Sequence, residues 1–145
     1  MLQEIIYHLG HDIGLHFDEK VLEGGGDREL VNRVQEEANT LQDLLKILIR
    51  SVSMHRPSPT TLAADYHFEG LVNTYGKLFF EEFKYIFDSR RNWRENSYDV
   101  FSCGKDFEVQ MLIHPFSYTK TTQDTKKVLR RFIDEAKMER YSAVN

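Results

Sequence analysis

Two histidines and three acidic residues lie within the ten-residue stretch GHDIGLHFDE, residues 10–19. His16 is its best candidate metal ligand, because a neutral imidazole on a rigid strand suits a divalent ion such as zinc. His8 and His11 form a weaker pair. Gly10 lies between them and is expected to end the preceding helix, which turns their side chains apart. The stretch therefore predicts a metal ligand at His16.

Three more polar clusters follow strand-like apolar segments. They are His55 with Arg56, Asp88 with Arg90 and Trp93, and His114 with Pro115. In a parallel α/β sheet, working side chains gather at the carboxyl ends of the strands, where the loops are free to vary. The pattern predicts that residues 16, 55 and 114 converge at one rim of a single layer.

The elements that would position these clusters alternate between helix and strand. A helix is predicted over residues 2–9, followed by a short buried strand in DIGLHF. After the flexible EGGG joint, Asp27 is predicted to N-cap a long helix. The apolar stripe of that helix recurs at three- and four-residue steps and comprises Val31, Val34, Ala38, Leu41, Leu45 and Leu48.

Four later strands are predicted in ILIRSVSMH, GLVNTY, FKYIF and EVQMLIH. A final helix is expected over about residues 122–141. Thr121 and Asp124 have capping-box spacing before it, and Val128, Phe132 and Ala136 share one of its faces. Helices alternating with strands indicate βα units and a largely parallel sheet in a single α/β domain over residues 1–145.

Composition narrows the class of protein. The 145 residues are 41% hydrophobic and 29% charged, as in globular proteins, and the net charge of −4 argues against nucleic-acid binding. Cys103 is the only cysteine, which suits a reducing compartment. No apolar run approaches the roughly 20 residues of a membrane span, and the N-terminus lacks the features of a signal peptide. A cytoplasmic location is therefore expected.

In their order along the chain, GHDIGLHFDE, VSMHRPSP, YIFDSRRNWRE and QMLIHP resemble the motifs of the polysaccharide deacetylase superfamily, the NodB-homology fold. The likeness is to a bacterial branch associated with surface-polysaccharide biosynthesis, and it covers about residues 2–118. It implies a partial, distorted (β/α) barrel with largely parallel strands and flanking helices. It also implies metal-dependent hydrolysis of an N-acyl group on a sugar or nucleotide-sugar, with zinc as the favoured metal.

The resemblance also assigns roles to single residues. His16 matches the first histidine of the family's His-x-x-x-His metal motif, but Lys20 stands where the second is expected. His55 is therefore expected to supply the missing ligand or to meet the substrate. The remaining assignments are Arg56 as the orienting arginine, His114 as the general acid, and Asp88, Arg90, Trp93 and Tyr75 as substrate-binding residues.

One family feature is missing. The Asp-rich first motif, which supplies the catalytic base and a metal-binding carboxylate, would precede Met1. This predicts an N-terminally truncated domain that is inactive or weak by itself and self-associates through an exposed sheet edge.

Two alternatives stay open. One is a non-catalytic carbohydrate or nucleotide-sugar binding module or pseudoenzyme, with Trp93, Tyr75 and Arg90 as its contacts. The other is an interaction protein that uses the basic residues of the final helix.

Overall fold

A computed structural model describes residues 6–22, 24–88, 93–106, 108–114, 120–121 and 123–143. The chain divides into two compact units, Met1–Phe83 and Lys84–Asn145. Short parallel strands connected by helices make up both units, which confirms the predicted α/β class. The strands form one three-stranded and one two-stranded sheet, and no closed barrel is found within these ranges.

The first unit contains a sheet of three parallel strands in the order β1-β2-β3. Its elements are β1 (Leu15–Phe17), a 3₁₀ turn (Glu19–Val21), α1 (Asp27–Leu45), β2 (Ser51–Met54), α2 (Pro59–Ala64), β3 (Val72–Asn73) and a π-helical turn (Leu78–Glu82). The predicted strand in GLVNTY is thus reduced to two residues. Before β1, residues 6–8 are helical, and Gly10 has a φ of +80°, as expected of a glycine that ends a helix.

Side chains alternate on β1, so the prediction of a strand buried throughout was wrong. Leu15 and Phe17 are buried in the core of the first unit, whereas His16 between them is exposed. The alternation follows from the two-residue period of a strand, with Val52 and Met54 of β2 on the core side. The strand therefore presents His16 to solvent while its neighbours anchor it.

Helix α1 covers the sheet with the predicted apolar stripe over most of its length. Leu30, Val34 and Ala38 are buried, and Val31 and Leu41 are partly buried against the same core. Two details of the prediction were wrong. Gly26, not Asp27, is the N-cap residue, and the helix ends at a left-handed Lys46, which leaves Leu48 beyond it and exposed.

The second unit is built around two parallel strands. It contains β4 (Lys84–Phe87), α3 (Ser97–Ser102), β5 (Val109–Leu112) and α4 (Thr125–Ser142), and Phe87 lies opposite Leu112 in the strand pair. Both strands lie inside their predicted segments, and both run in the same direction. The residues that follow them, Asp88 and His114, consequently leave the sheet at the same edge.

The start of α4 differs from the predicted capping box. Asp124 is itself the N-cap, and its carboxylate accepts a hydrogen bond from the backbone N–H of Lys127 at 2.9 Å. Val128 is buried, but Phe132 on the same predicted face is 63% exposed. Within the described ranges, no helix combines the length and apolar character that a membrane crossing requires.

Candidate functional site

The two predicted metal ligands, His16 and His55, lie in contact in the first unit. His16 Nε2 and His55 Nδ1 are 3.1 Å apart, and the two imidazole rings meet edge to face. The contact follows from the parallel pairing of β1 with β2. His55 is the first residue after β2, and its backbone N–H donates to the Phe17 carbonyl at 2.7 Å. The sheet therefore fixes both imidazoles at the carboxyl ends of adjacent strands.

Ser53 lies opposite His16 in the strand register and fixes its ring. The Ser53 hydroxyl is 3.4 Å from the Leu15 carbonyl, to which it donates, and 2.8 Å from His16 Nδ1. A hydroxyl that donates its one proton to a carbonyl is an acceptor for the imidazole. His16 Nδ1 then carries the proton, and Nε2 accepts the hydrogen bond from His55 Nδ1 at 3.1 Å.

The spacing of the two ring nitrogens suits a shared metal ion. Zinc binds imidazole nitrogens at about 2.0–2.1 Å, so a tetrahedral ion holds two of them about 3.4 Å apart. His16 Nε2 and His55 Nδ1 come close to that value at 3.1 Å. They provide two ligands only. Among the described residues, no group of three His, Cys, Asp or Glu side chains is placed to hold a metal ion.

A second pair of site residues is formed in the second unit by Asp88 and His114. Asp88 Oδ1 lies 2.5 Å from His114 Nδ1, and Asp88 Oδ2 accepts a hydrogen bond from the His114 backbone N–H at 3.0 Å. The Asp88 side chain is 3% exposed and the His114 side chain 56% exposed. A buried carboxylate thus holds an imidazole that faces solvent.

The Asp88 carboxylate sets the proton positions on His114. An ionised carboxylate only accepts hydrogen bonds, so Nδ1 of His114 carries a proton and donates it to Oδ1. In neutral His114 the second nitrogen, Nε2, is then the basic one. This arrangement suits a side chain that transfers protons to and from a bound molecule.

Four further residues were predicted to belong to the site, namely Arg56, Tyr75, Trp93 and Arg90. Arg56 is exposed, has a left-handed φ of 50°, and forms no hydrogen bond or ion pair with described residues. Tyr75 packs against Phe80 with ring centroids 5.0 Å apart. Trp93 is 37% exposed. Arg90 lies outside the described residues.

The three histidines that were predicted to converge at one rim are divided between the two units. His16 and His55 belong to the first unit, and His114 belongs to the second. Each pair is defined by contacts within its own unit. The convergence of all three imidazoles stays a prediction.

The sequence interpretation did not identify Ser53 as part of the site. The signal was present, because Ser53 precedes His55 by two residues and the two-residue period of a strand favours one face for both. Likewise, Asp88 and His114 were each assigned to a strand end, but their contact was not predicted.

No protein-family model, curated protein or solved structure matches this chain significantly. A functional interpretation therefore depends on the order of the four motifs and on the geometry of the two residue pairs.

Proposed function

We propose that this chain is a polysaccharide deacetylase-type domain that hydrolyses an N-acyl group on a sugar with the help of a divalent metal, zinc being favoured. The proposal includes the finer fold, in which the parallel strands belong to a distorted (β/α) barrel. The observation that carries it is the Asp88–His114 pair, because amide hydrolysis needs a positioned acid to protonate the departing amine.

In this proposal His114 is the general acid. Water adds to the acyl carbon, the C–N bond breaks, and imidazolium Nε2 transfers its proton to the amine, which leaves as the free amino sugar. The acyl group leaves as a carboxylic acid, and the proton that the added water gives up returns to Nε2. Asp88 is a positioning residue, since its buried carboxylate holds Nδ1 and points Nε2 outward. We propose this positioning role for Asp88 in place of the substrate-binding role expected from the sequence.

The metal is assigned to the two imidazoles of the first unit. When bound, zinc would lower the pKa of a coordinated water to about 7. His16 and His55 supply two neutral nitrogens at suitable spacing, and Ser53 orients the first of them. Because two histidines hold a hydrolytic zinc ion weakly and no carboxylate base is assigned, we expect a low rate.

Acetate release from N-acetylated chitotetraose tests the proposed function. With one equivalent of zinc we expect slow release that stops when the metal is chelated, because the proposed reaction would depend on zinc to activate water. An enzymatic acetate assay measures it, with apo protein as the control. Acetate release that continues in the presence of chelator, or no acetate release at all, would contradict the proposed hydrolase activity.

A non-catalytic sugar-binding module is the second candidate. It is favoured by the finding that no described group of three residues is suited to a metal ion. For this module we expect chitotetraose binding that is indifferent to chelator, without acetate release. The two candidates are therefore separated by zinc-dependent acetate release, which only the hydrolase gives.

The Ser53→Ala substitution tests the orientation of His16. Loss of an outer hydrogen-bond partner of a metal-binding histidine typically costs about 10- to 100-fold in metal affinity. We expect a loss of that size in zinc competition with a chromogenic chelator. Ser51→Ala is the matched control, because Ser51 is also on β2, two residues away, and makes no side-chain hydrogen bond with described residues. Wild-type affinity in Ser53→Ala would contradict the assigned orientation.

A further inference from the structure

A cavity of about 280 Å³ in the first unit is lined by residues that none of the assignments above uses. Its polar lining comes from the segments that follow β1 and β2 and from the start of α1, and includes Glu19, Lys20, Asp27, Ser58, Thr60 and Tyr66. This volume is close to the lower end of the range of about 300–1,000 Å³ that small-molecule binding sites occupy. The cavity is therefore a candidate binding site with its own lining residues.

The cavity belongs to the sheet edge that carries the histidine pair. Glu19 follows His16 by three residues, and Ser58 follows His55 by three residues. Because β1 and β2 are parallel neighbours, both segments leave the sheet at its carboxyl edge. That edge is where open α/β sheets bind ligands. A molecule in the cavity would extend along the same edge.

Hydrogen bonds within its wall hold the cavity in shape. The Glu19 carboxylate accepts from the Ser58 backbone N–H at 2.7 Å and from the Thr61 hydroxyl. On the other side, the Tyr66 hydroxyl donates to Asp27 Oδ1 at 2.7 Å. Burial and this contact with Asp27 raise the pKa of Tyr66 to about 12, so its hydroxyl stays a donor at neutral pH. Polar groups fixed in advance lose little freedom when a ligand binds.

The chemistry of the lining favours a neutral ligand rich in hydroxyl groups. Glu19 and Asp27 are acceptors, the Lys20 ammonium and the hydroxyl of Thr60 can donate, and Tyr66 adds an aromatic ring. Two carboxylates against one ammonium make the cavity negative, which opposes phosphate groups. Lys20 has no ion-pair partner among the described residues, so its ammonium is available to a ligand hydroxyl.

We propose that this cavity is a glycosyl subsite that binds one neutral sugar unit of an oligosaccharide, at the same carboxyl edge of the sheet as the histidine pair. The inference rests on the proposed function and narrows its substrate class. The substrate is a glycan rather than a nucleotide-sugar. A free oligosaccharide and a nucleotide-sugar both present a sugar ring, but only the second brings a diphosphate to the negative lining.

Calorimetric titration of the full chain with chitotetraose and, separately, with UDP-N-acetylglucosamine tests this subsite, both in the presence of chelator. We expect binding of chitotetraose and none of the nucleotide-sugar at the same concentration. Lys20→Ala and Asp27→Asn should each weaken chitotetraose binding by about 10-fold, the typical effect of one hydrogen bond to a charged group. Lys126→Ala, an exposed lysine of α4, is the control and should bind as the wild type does.

The outcomes separate the subsite from the hydrolase. Unchanged chitotetraose affinity in both variants overturns the subsite, even if zinc-dependent acetate release is found. Preferential binding of the nucleotide-sugar, lost in Lys20→Ala, also overturns it. Weakened binding in both variants supports the subsite, and absence of acetate release from the wild type then counts against the hydrolase alone.

Discussion

The Asp88→Asn substitution is expected to slow zinc-dependent acetate release by about 10²- to 10⁴-fold, which is the usual contribution of a positioned acid or base to the rate. The physical cause is the proton position on His114. Asp88 accepts the Nδ1 proton at 2.5 Å, but an asparagine amide can donate there and favours the tautomer with the proton on Nε2. Initial rates of acetate release, with nitrogen-detected NMR of the imidazole tautomer, measure both effects.

Matched variants distinguish this role from damage to the fold. Asp134→Asn removes an exposed carboxylate from α4 and should leave rate and tautomer unchanged. His114→Gln should lose as much rate as Asp88→Asn, and the double variant should be no slower than the slower single variant, since residues that act as a unit are not additive. If the rate losses of the two single variants multiplied in the double variant, or if Asp88→Asn kept the wild-type rate, Asp88 and His114 would not act together.

The sequence predicted the elements that have a clear period. The three- and four-residue steps of Val34 and Ala38 predicted α1 because a helix with one buried face must repeat in that way. Helices α2 and α3, with six residues each, were missed because they are too short to show a period. Only their caps gave a signal, since the Ser58 and Asn96 side chains accept from backbone N–H groups of the first turn.

The pairing of site residues was harder to predict than the elements that carry them. Asp88 and His114 were both expected at strand ends, but their contact depends on the register that sets Phe87 opposite Leu112. The same holds for His16, whose partner Ser53 is selected by the register of β1 with β2. Register is set jointly by the hydrophobic patterns of the paired strands and by the connections between them, so the sequence of one short strand alone does not give it.

The largest effect on stability is expected at Phe17. Its side chain is 0% exposed and among the largest that are fully buried. Phe→Ala in a core typically costs about 3–5 kcal/mol, a large part of the roughly 5–15 kcal/mol that holds a domain together. We therefore expect Phe17→Ala to lower the free energy of unfolding by about that amount in urea titrations. Phe132→Ala is the control, because Phe132 is exposed on α4 and its loss should cost less than about 1 kcal/mol.

The same variant tests the geometry of the two histidines that are proposed to bind a metal. Phe17 packs inward from β1, so the strand period turns its neighbour His16 outward, and the Phe17 carbonyl accepts from the backbone N–H of His55. A loss of stability below about 1 kcal/mol in Phe17→Ala would mean that residue 17 does not lie in a core. Neighbouring side chains of a strand point to opposite faces, so His16 would then turn inward, away from His55 and any shared ion.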